Sequence, residues 1–204
     1  MMTSVTTGNN PAWCGDMPWY GEVPPRHRLV QGELLHKCPV VQWKPIEWQK
    51  NPNLADYTDF VYVDVVVMTQ DCDLGNVGKT ENVTLCPQRP LAEYKELYFA
   101  EKTAQRRAED PNAKPPNAED WKGTYNRMRA GFVFPLALLS EQPPLVQEQR
   151  VVDFKEAFCV PLIFLSSWLQ EQGSQRVALL PPYREYLSQA YARYYMRVGL
   201  PVAP

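Results

Sequence analysis

The chain has 204 residues, 45% of them hydrophobic, and a formal net charge of −2. This composition is typical of a globular protein and is sufficient for one well-buried domain. The near-balanced charge excludes a bulk basic field for nucleic acid, although it leaves room for a local basic face.

No apolar run in the sequence approaches the roughly 18–20 residues that a membrane span requires, so no membrane association is expected. The polar residues 1–10 lack the apolar core of a secretory signal. The five cysteines are widely spaced and form no C-x-x-C pair, which argues against a structural zinc site. We therefore predict a cytoplasmic protein with reduced thiols, no metal and no cofactor.

The predicted elements begin with an irregular, aromatic-rich N-terminal arm over residues 1–28. Residues 31–43 predict a first strand, with a Cys38-Pro39 interruption that suggests a sheet edge or a bulge. Residues 60–68 are a run of β-branched residues, typical of a strand that is buried on both faces.

Downstream elements alternate between short strands and helices. Residues 82–86 predict a strand stopped by Pro87, and residues 91–110 predict an amphipathic helix followed by a proline-rich linker. The remaining predictions are a short helix or strand over 121–129, strands over 131–139 and 149–154, a strand that could turn helical over 157–165, and a helix over 183–197.

The order of elements predicts an α+β fold. Its twenty prolines imply many rigid turns and argue against a long-helix bundle. We expect residues 29–204 to form a single domain, a small and strongly bent β-barrel. It would carry a helical insertion near 90–130 and a C-terminal helix over 182–198.

The end of the predicted buried strand is the first candidate site, since side chains leave the sheet there. It comprises Thr69, Gln70, Asp71, Cys72 and Asp73. The carboxylates could bind a partner or, if Glu33 or Asp153 converged on them, a cation. Alternatively, they cap the turn before Gly75 while Cys72 points into the core. Flanking acids disfavour a nucleophilic thiol, so no catalytic residue is assigned.

The C-terminal helix is the second candidate surface. Tyrosines fall on one stripe at helical spacing, whereas Arg193 and Arg197 lie one turn apart on another face. The tyrosines are expected to complete the core. The arginines could pair with acids or contact a partner, because Arg and Tyr are frequent at interface hot spots.

Aromatic and basic residues outside the predicted core elements also indicate a binding function. Trp13, Trp19, Trp43 and Trp48 must pack on the barrel or on another protein, which favours an interaction protein. If Arg127, Arg129 and Arg89 converged, they could instead hold a phosphate backbone. His27 is expected to be solvated, and His36 could face either side of its strand.

Four segments together resemble the MazF/PemK family of small, Src-homology-3-like β-barrels. They are Gly32-Glu33-Leu34, the run from Val65 to Met68, the run from Val83 to Pro87, and the run from Val151 to Phe154. The family's ribonucleases place an Arg near the buried strand and a Thr or Ser after the strand-ending Pro. Here Gln88 follows Pro87, and no Arg lies between residues 59 and 64.

The resemblance therefore implies a MazF-like barrel without the ribonuclease groups. We expect a non-catalytic bacterial regulatory or adaptor protein that binds another protein, in a stress-response, toxin–antitoxin or antiphage defence setting. The alternatives are an endoribonuclease of altered site chemistry and a nucleic-acid-binding protein without cleavage.

Overall fold

The structure is a computed structural model that describes residues 17–47, 53–76, 78–131, 133 and 135–196. Within these ranges the fold is α+β, as predicted. The eight strands are β1 Tyr20–Val23, β2 Glu33–Trp43, β3 Thr58–Val67, β4 Asn82–Pro90, β5 Leu136–Leu139, β6 Arg150–Asp153, β7 Phe158–Pro161 and β8 Arg176–Leu179. The six α-helices are α1 Leu54–Tyr57, α2 Asp71–Leu74, α3 Leu91–Glu109, α4 Ala118–Arg129, α5 Leu162–Gln172 and α6 Tyr183–Tyr195.

The strands form one antiparallel sheet in the order β1-β8-β2-β3-β4-β6-β5, and β7 pairs with β4 outside this path. Strand β4 is the element that joins the two ends of the sheet. Its first half pairs with β7 and β3, and its last three residues pair with β6. The prediction that this strand stops at Pro87 is wrong, because Pro87 lies within the strand, opposite Val65.

Helices cover the sheet from three sides and define three apolar clusters. Helix α6 packs Tyr183 and Leu187 over one cluster, which includes residues of β1 to β6 and β8. Helix α5 packs Leu165 and Leu169 over residues of β2, β3, β4 and β7. The third cluster lies where α4 meets β5 and β6, around Met128. The expected role of the C-terminal tyrosines in the core is confirmed for Tyr183.

The sheet is not closed by strand pairing in the described residues, so the predicted barrel is not established. Its two edge strands nevertheless meet through the side chain of Gln142. The Tyr20 N–H donates to Gln142 Oε1 at 2.9 Å, and Gln142 Nε2 donates to the Tyr20 carbonyl at 3.2 Å. The Tyr20 hydroxyl also donates to the Ser140 carbonyl at 2.8 Å. A side-chain amide thus joins β1 to the segment that follows β5.

Several element boundaries differ from the predictions. Residues 20–23, predicted as part of an irregular arm, form β1, and residues 1–16 lie outside the described ranges. The strand predicted over 131–139 is limited to β5. Residues 121–129 are helical, because Asn117 and Asp120 form a reciprocal capping box that starts α4. Strand β8 was not predicted, since four residues give little periodicity.

The prediction of a strand buried on both faces holds only for part of β3. Val65, Val66 and Val67 are fully buried, whereas the preceding residues of the strand are partly or largely exposed. Among the helices described, none is both long and apolar enough to cross a bilayer.

The Gln142 bridge provides a test of how the sheet edges are held. We expect Gln142→Ala to lower the free energy of unfolding by about 1–3 kcal/mol, because it removes two hydrogen bonds and leaves backbone groups of Tyr20 unsatisfied. Urea denaturation measures the change. The exposed Gln147→Ala is the matched control and should stay near wild type. Equal stability of both variants would contradict the role given to Gln142.

Candidate functional site

The predicted strand-end site is used largely for internal contacts. The Asp71 carboxylate accepts the Gln31 N–H at 2.7 Å and pairs with Arg184 Nη1 at 2.8 Å. The Asp71 carbonyl accepts Arg28 Nη1 at 3.2 Å. The Thr69 hydroxyl accepts the Thr84 N–H at 2.7 Å. These bonds fix α2 against the loop before β2 and against α6, so Asp71 and Thr69 are held by structural contacts.

Cys72 and Asp73 lie on the outer side of α2. Asp73 forms an ion pair with Lys79, whose Nζ also lies 3.8 Å from Cys72 Sγ. Gln70 Oε1 accepts a weak contact from the same thiol at 3.6 Å. The expectation that Cys72 points into the core is wrong, because its side chain is exposed. It is exposed because α2 is a single turn with no buried residue.

The acids needed for a cation site do not converge on this turn. Glu33 is fully buried and pairs with Arg176 at 2.8 Å, and Asp153 caps the short 3-10 turn that follows β6. In the part of the chain that the structure describes, no group of three or more His, Cys, Asp or Glu side chains could hold a metal ion. Asp71 and Asp73 instead have basic side chains as neighbours.

Of the predicted arginines, the structure brings two together. Arg129 at the end of α4 and Arg193 on α6 line one cavity of about 290 Å³ beside β5. Arg89 is paired with Glu156 at 2.8 Å, and Arg127 donates to the Thr124 hydroxyl at 3.4 Å. Arg197 lies outside the described residues. The cavity thus combines one residue from each of two separate predictions: Arg129 from the predicted phosphate-binding arginines and Arg193 from the predicted partner surface.

A polar network that sequence reasoning missed crosses the middle of the sheet. Asp64 Oδ2 accepts Arg150 Nη2 at 2.6 Å and lies 3.1 Å from His36 Nδ1. Asp64 Oδ1 accepts the Lys37 N–H at 2.9 Å. Arg150 Nε donates to the buried Gln88 amide, whose Nε2 donates to the Val65 carbonyl at 3.3 Å. Strands β2, β3, β4 and β6 each contribute to it.

The network sits on a bulge in β2. The register between β2 and β3 shifts between Leu35 and Cys38, so His36 and Lys37 together oppose the single residue Asp64. Lys37 adopts a left-handed conformation with φ of 51°, which is uncommon for a residue with a side chain. Asp64 stabilises this conformation by accepting the Lys37 N–H. The predicted interruption at Cys38-Pro39 is therefore misplaced: the bulge lies just before it, and Cys38 and Pro39 pair with Val63 and Tyr62.

The electrostatics of the network favour the ionised carboxylate. Burial alone would raise the pKa of Asp64, but hydrogen bonds from His36 and the Lys37 N–H, with the charge of Arg150, lower the pKa to about 2. The His36 side chain is 61% exposed, whereas that of Arg150 is only 8% exposed. The Asp64 carboxylate therefore orients the exposed His36 imidazole, and the buried Arg150 guanidinium holds the carboxylate in place.

An exposed apolar surface adjoins this network. Beyond the bulge, β2 and β3 continue as a two-stranded ribbon, because β8 pairs only with Glu33 and Leu34 of β2 and β4 pairs only with residues 65–67 of β3. One face of the ribbon packs into the cluster under α5. The other, here called the ribbon face, consists of Val41, Trp43, Phe60 and Tyr62.

The ribbon face is well ordered by pairing but uncovered. Val41 lies opposite Phe60, so alternation places all four side chains on the same side. Their exposed fractions are 61–66%. The Phe60 and Tyr62 rings contact edge to face, with centroids 5.4 Å apart. Tyr62 is two residues from Asp64, so the apolar side chains and the His36 imidazole share one surface.

The other predicted aromatics behave differently. Trp19 stacks on Tyr183 with centroids 3.9 Å apart, so it packs on the protein itself. Trp43 belongs to the ribbon face. Trp13 and Trp48 lie outside the described residues. Of the two tryptophans in this set that the structure describes, Trp43 is exposed and Trp19 is partly buried.

Comparison with known proteins adds no assignment: no protein-family model matches the chain, and no curated protein matches it significantly. The family resemblance given by the four sequence segments therefore remains a prediction, and functional inference rests on the chemistry of the surfaces described above.

The low pKa of Asp64 predicts a specific loss of stability in acid. A folded-state pKa below the ordinary value of 3.8 stabilises the fold above about pH 5, and this contribution disappears as the pH falls toward about 2. Asp64→Asn lacks the titrating group, so the stability gap between wild type and variant should narrow by about 2 kcal/mol over that range.

Urea denaturation at a series of pH values measures this gap. Asp59→Asn, which alters an exposed carboxylate on the same strand, is the control, and its gap to wild type should change much less. If the stability difference between wild type and Asp64→Asn stayed constant from about pH 6 to about pH 2, this result would contradict the network described.

Cysteine labelling tests the placement of α2. We expect a maleimide to modify Cys72 and Cys159 in the folded protein, because both are exposed. Cys38 and Cys86 should react only after unfolding, since burial raises the pKa of Cys38 to about 11 and that of Cys86 to about 12. Peptide mapping identifies the modified positions. Protection of Cys72 in the native state would show that it faces the core after all.

Proposed function

We propose that this chain is a non-catalytic regulatory or adaptor protein that binds a partner protein through the ribbon face. The observation that carries the proposal is the exposure of Val41, Trp43, Phe60 and Tyr62 side by side on a paired, ordered surface. Scattered apolar side chains are ordinary on a protein surface, but a contiguous group that includes two aromatic rings in edge-to-face contact marks an interaction site.

The composition of this surface suits a protein partner. Aromatic side chains bury a large area at a low cost in conformational entropy, and they dominate interface hot spots. The neighbouring His36 and Asp64 supply a polar rim that could fix the orientation of the partner. The face is held by strand pairing on a rigid bulge, so the partner would meet a preformed surface.

The bacterial setting, a stress-response or antiphage defence operon in the cytoplasm, comes from the resemblance to MazF/PemK-like barrels and is part of the proposal. Three features support the barrel part of this proposal alone: an antiparallel sheet whose edges meet at Gln142, a strand β4 that pairs with β3, β6 and β7, and helices packed outside the sheet. In this interpretation the barrel has kept its fold and lost its nuclease chemistry.

The second candidate function is binding or cleavage of RNA. Two observations favour it: exposed aromatics beside a His–Asp pair, and the convergence of Arg129 and Arg193 on one cavity. Aromatic side chains can stack on unpaired bases, and arginines can bind phosphates. Incubation of the pure protein with mixed RNA, with and without divalent metal, tests it. Cleavage lost in His36→Ala or Arg129→Ala would favour this function over the adaptor.

Site-specific photocrosslinking tests the partner surface. With p-benzoylphenylalanine in place of Phe60 or Tyr62, irradiation of cells of the native host should give one discrete adduct with another protein, because a partner covers these side chains. The matched control is the same probe at Ile163, which is 82% exposed on α5 and remote in sequence from the ribbon. Western blotting for the tagged chain detects the adducts.

Three outcomes would overturn this assignment. An absence of adducts from both ribbon positions would show that the face is not covered in the cell. Equal adducts from Ile163 would show that capture is unspecific. A single adduct at twice the mass of the 23.5 kDa chain would make the occupant a second copy instead of a different protein.

A further inference from the structure

A second cavity lies on a different side of the molecule from the ribbon face. It has a volume of about 780 Å³ and is enclosed by the loop of residues 25–29, by α5, and by the first residue of β8. This volume falls within the range of about 300–1,000 Å³ that is typical of small-molecule sites. The proposed adaptor function makes no use of it.

The charged side chains that line this cavity are all arginines. Arg26, His27, Arg28 and Arg176 line it, and no Asp or Glu does. Arg26 is exposed and makes no hydrogen bond or ion pair with the described residues. Arg28 donates one N–H to the Asp71 carbonyl at 3.2 Å, and its other N–H groups remain available to a ligand. The positive charge of the cavity therefore rests on Arg26 and Arg28, because that of Arg176 is paired with the buried carboxylate of Glu33.

Arg176 is the structural base of the cavity. Its guanidinium is 5% exposed, pairs with the fully buried Glu33 at 2.8 Å, and donates to the carbonyls of Pro24 and His27. These bonds hold the loop as one wall of the cavity. Within this ion pair, the Nε–H of Arg176 and the Oε1 atom of Glu33 are both buried, and neither has a hydrogen-bond partner among the described residues. A buried donor without an acceptor is costly, and a bound anion would supply the acceptor.

The remaining lining is suited to a ligand with both an anionic and a less polar part. Ser166 and Gln170 on α5 provide hydrogen-bonding side chains, while Leu29, Leu74 and Leu169 form apolar walls. Arginine presents a planar set of donors that matches phosphate oxygens, and several arginines together favour a multiply charged group.

We propose that this cavity binds a phosphorylated small molecule, with Arg26, Arg28 and Arg176 contacting the phosphate and the leucine walls contacting the rest. The site is independent of the ribbon face. An anion held here would link the loop of residues 25–29, β8 and α5, and would stabilise the fold on binding.

Isothermal titration calorimetry with defined probes tests the proposal. Inorganic phosphate, pyrophosphate, ATP and adenosine are titrated separately into the full chain at low salt. We expect pyrophosphate or ATP to bind and adenosine not to bind. Arg26→Ala should weaken the affinity roughly tenfold or more, because it removes charge-assisted hydrogen bonds without touching the core.

Two variants separate a built site from general electrostatics. Arg107→Ala removes an equal charge from the exposed face of α3 and should leave the affinity unchanged. Ser166→Phe fills the cavity without altering charge and should abolish binding while the variant's melting temperature stays near wild type. If ATP bound no more tightly than phosphate and pyrophosphate, the site would recognise the phosphate group alone. The proposed contact of the leucine walls with the rest of the ligand would then be wrong.

The proposal fails if none of the phosphate-bearing probes binds. It also fails if Arg107→Ala weakens binding as much as Arg26→Ala, since the affinity would then reflect overall charge. Full binding by a folded Ser166→Phe variant would likewise place the ligand elsewhere.

Discussion

The carboxylate of Asp64 is the group on which the arrangement of the sheet depends most. It accepts hydrogen bonds from the bulged segment of β2 and from Arg150 of β6, and through Arg150 it is connected to Gln88 of β4. Arg150 and Gln88 are the buried members of this network, and removing their partner would leave a buried guanidinium unsatisfied, which is costly in a low-dielectric interior. Four strands that are separate in sequence are thereby held in one register.

This constraint has a direct consequence for the surface. The bulge at His36 and Lys37 lets β2 continue past the point where β8 stops pairing with it. The ribbon that results has one face buried by α5 and one face outside the cover of the helices. Val41, Trp43, Phe60 and Tyr62 are exposed for this reason, and not because the strand is disordered. The proposal of a partner protein rests on this exposed, strand-paired apolar face.

The two proposed sites use different chemistry and different parts of the fold. The ribbon face is apolar and flat, so it suits a macromolecule. The cavity beside Arg176 is concave and lined by arginines, so it suits a small anion. Loop 25–29 connects β1 to the turn before β2, while the ribbon is formed by the far ends of β2 and β3. Helix α5 lies between the two sites, since it lines the cavity and packs on the inner face of the ribbon.

Long elements with a strong hydrophobic pattern could be predicted from the sequence. Short strands, and contacts between residues far apart in the sequence, could not. The run over residues 60–68 identified β3, and helical spacing identified α3 and α6. The exposure of Phe60 and Tyr62 could not be predicted from the sequence. Both faces of that strand carry apolar residues, so the alternation does not show which face meets the solvent. Strands of four residues such as β8 carry too few positions to reveal a period.

The candidate site was harder to predict for a physical reason. Arg150 is 86 residues from Asp64, and only strand pairing brings them together. In the same way, Arg129 and Arg193 were identified separately, and their shared cavity depends on how α6 packs beside β5. Asp71, which looked like a recognition residue, is occupied by Arg184 and by the Gln31 N–H, contacts that only the tertiary structure reveals.

The central claim is that the ribbon face is covered by another protein in the cell. Size-exclusion chromatography of a native-host extract that contains the tagged chain measures this directly. We predict that the wild-type chain elutes well above its 23.5 kDa mass, and that Phe60→Ser/Tyr62→Ser shifts it to the monomer position. The purified wild-type chain run alone should elute as the monomer. Identical elution of wild type and variant in the extract would contradict the claim.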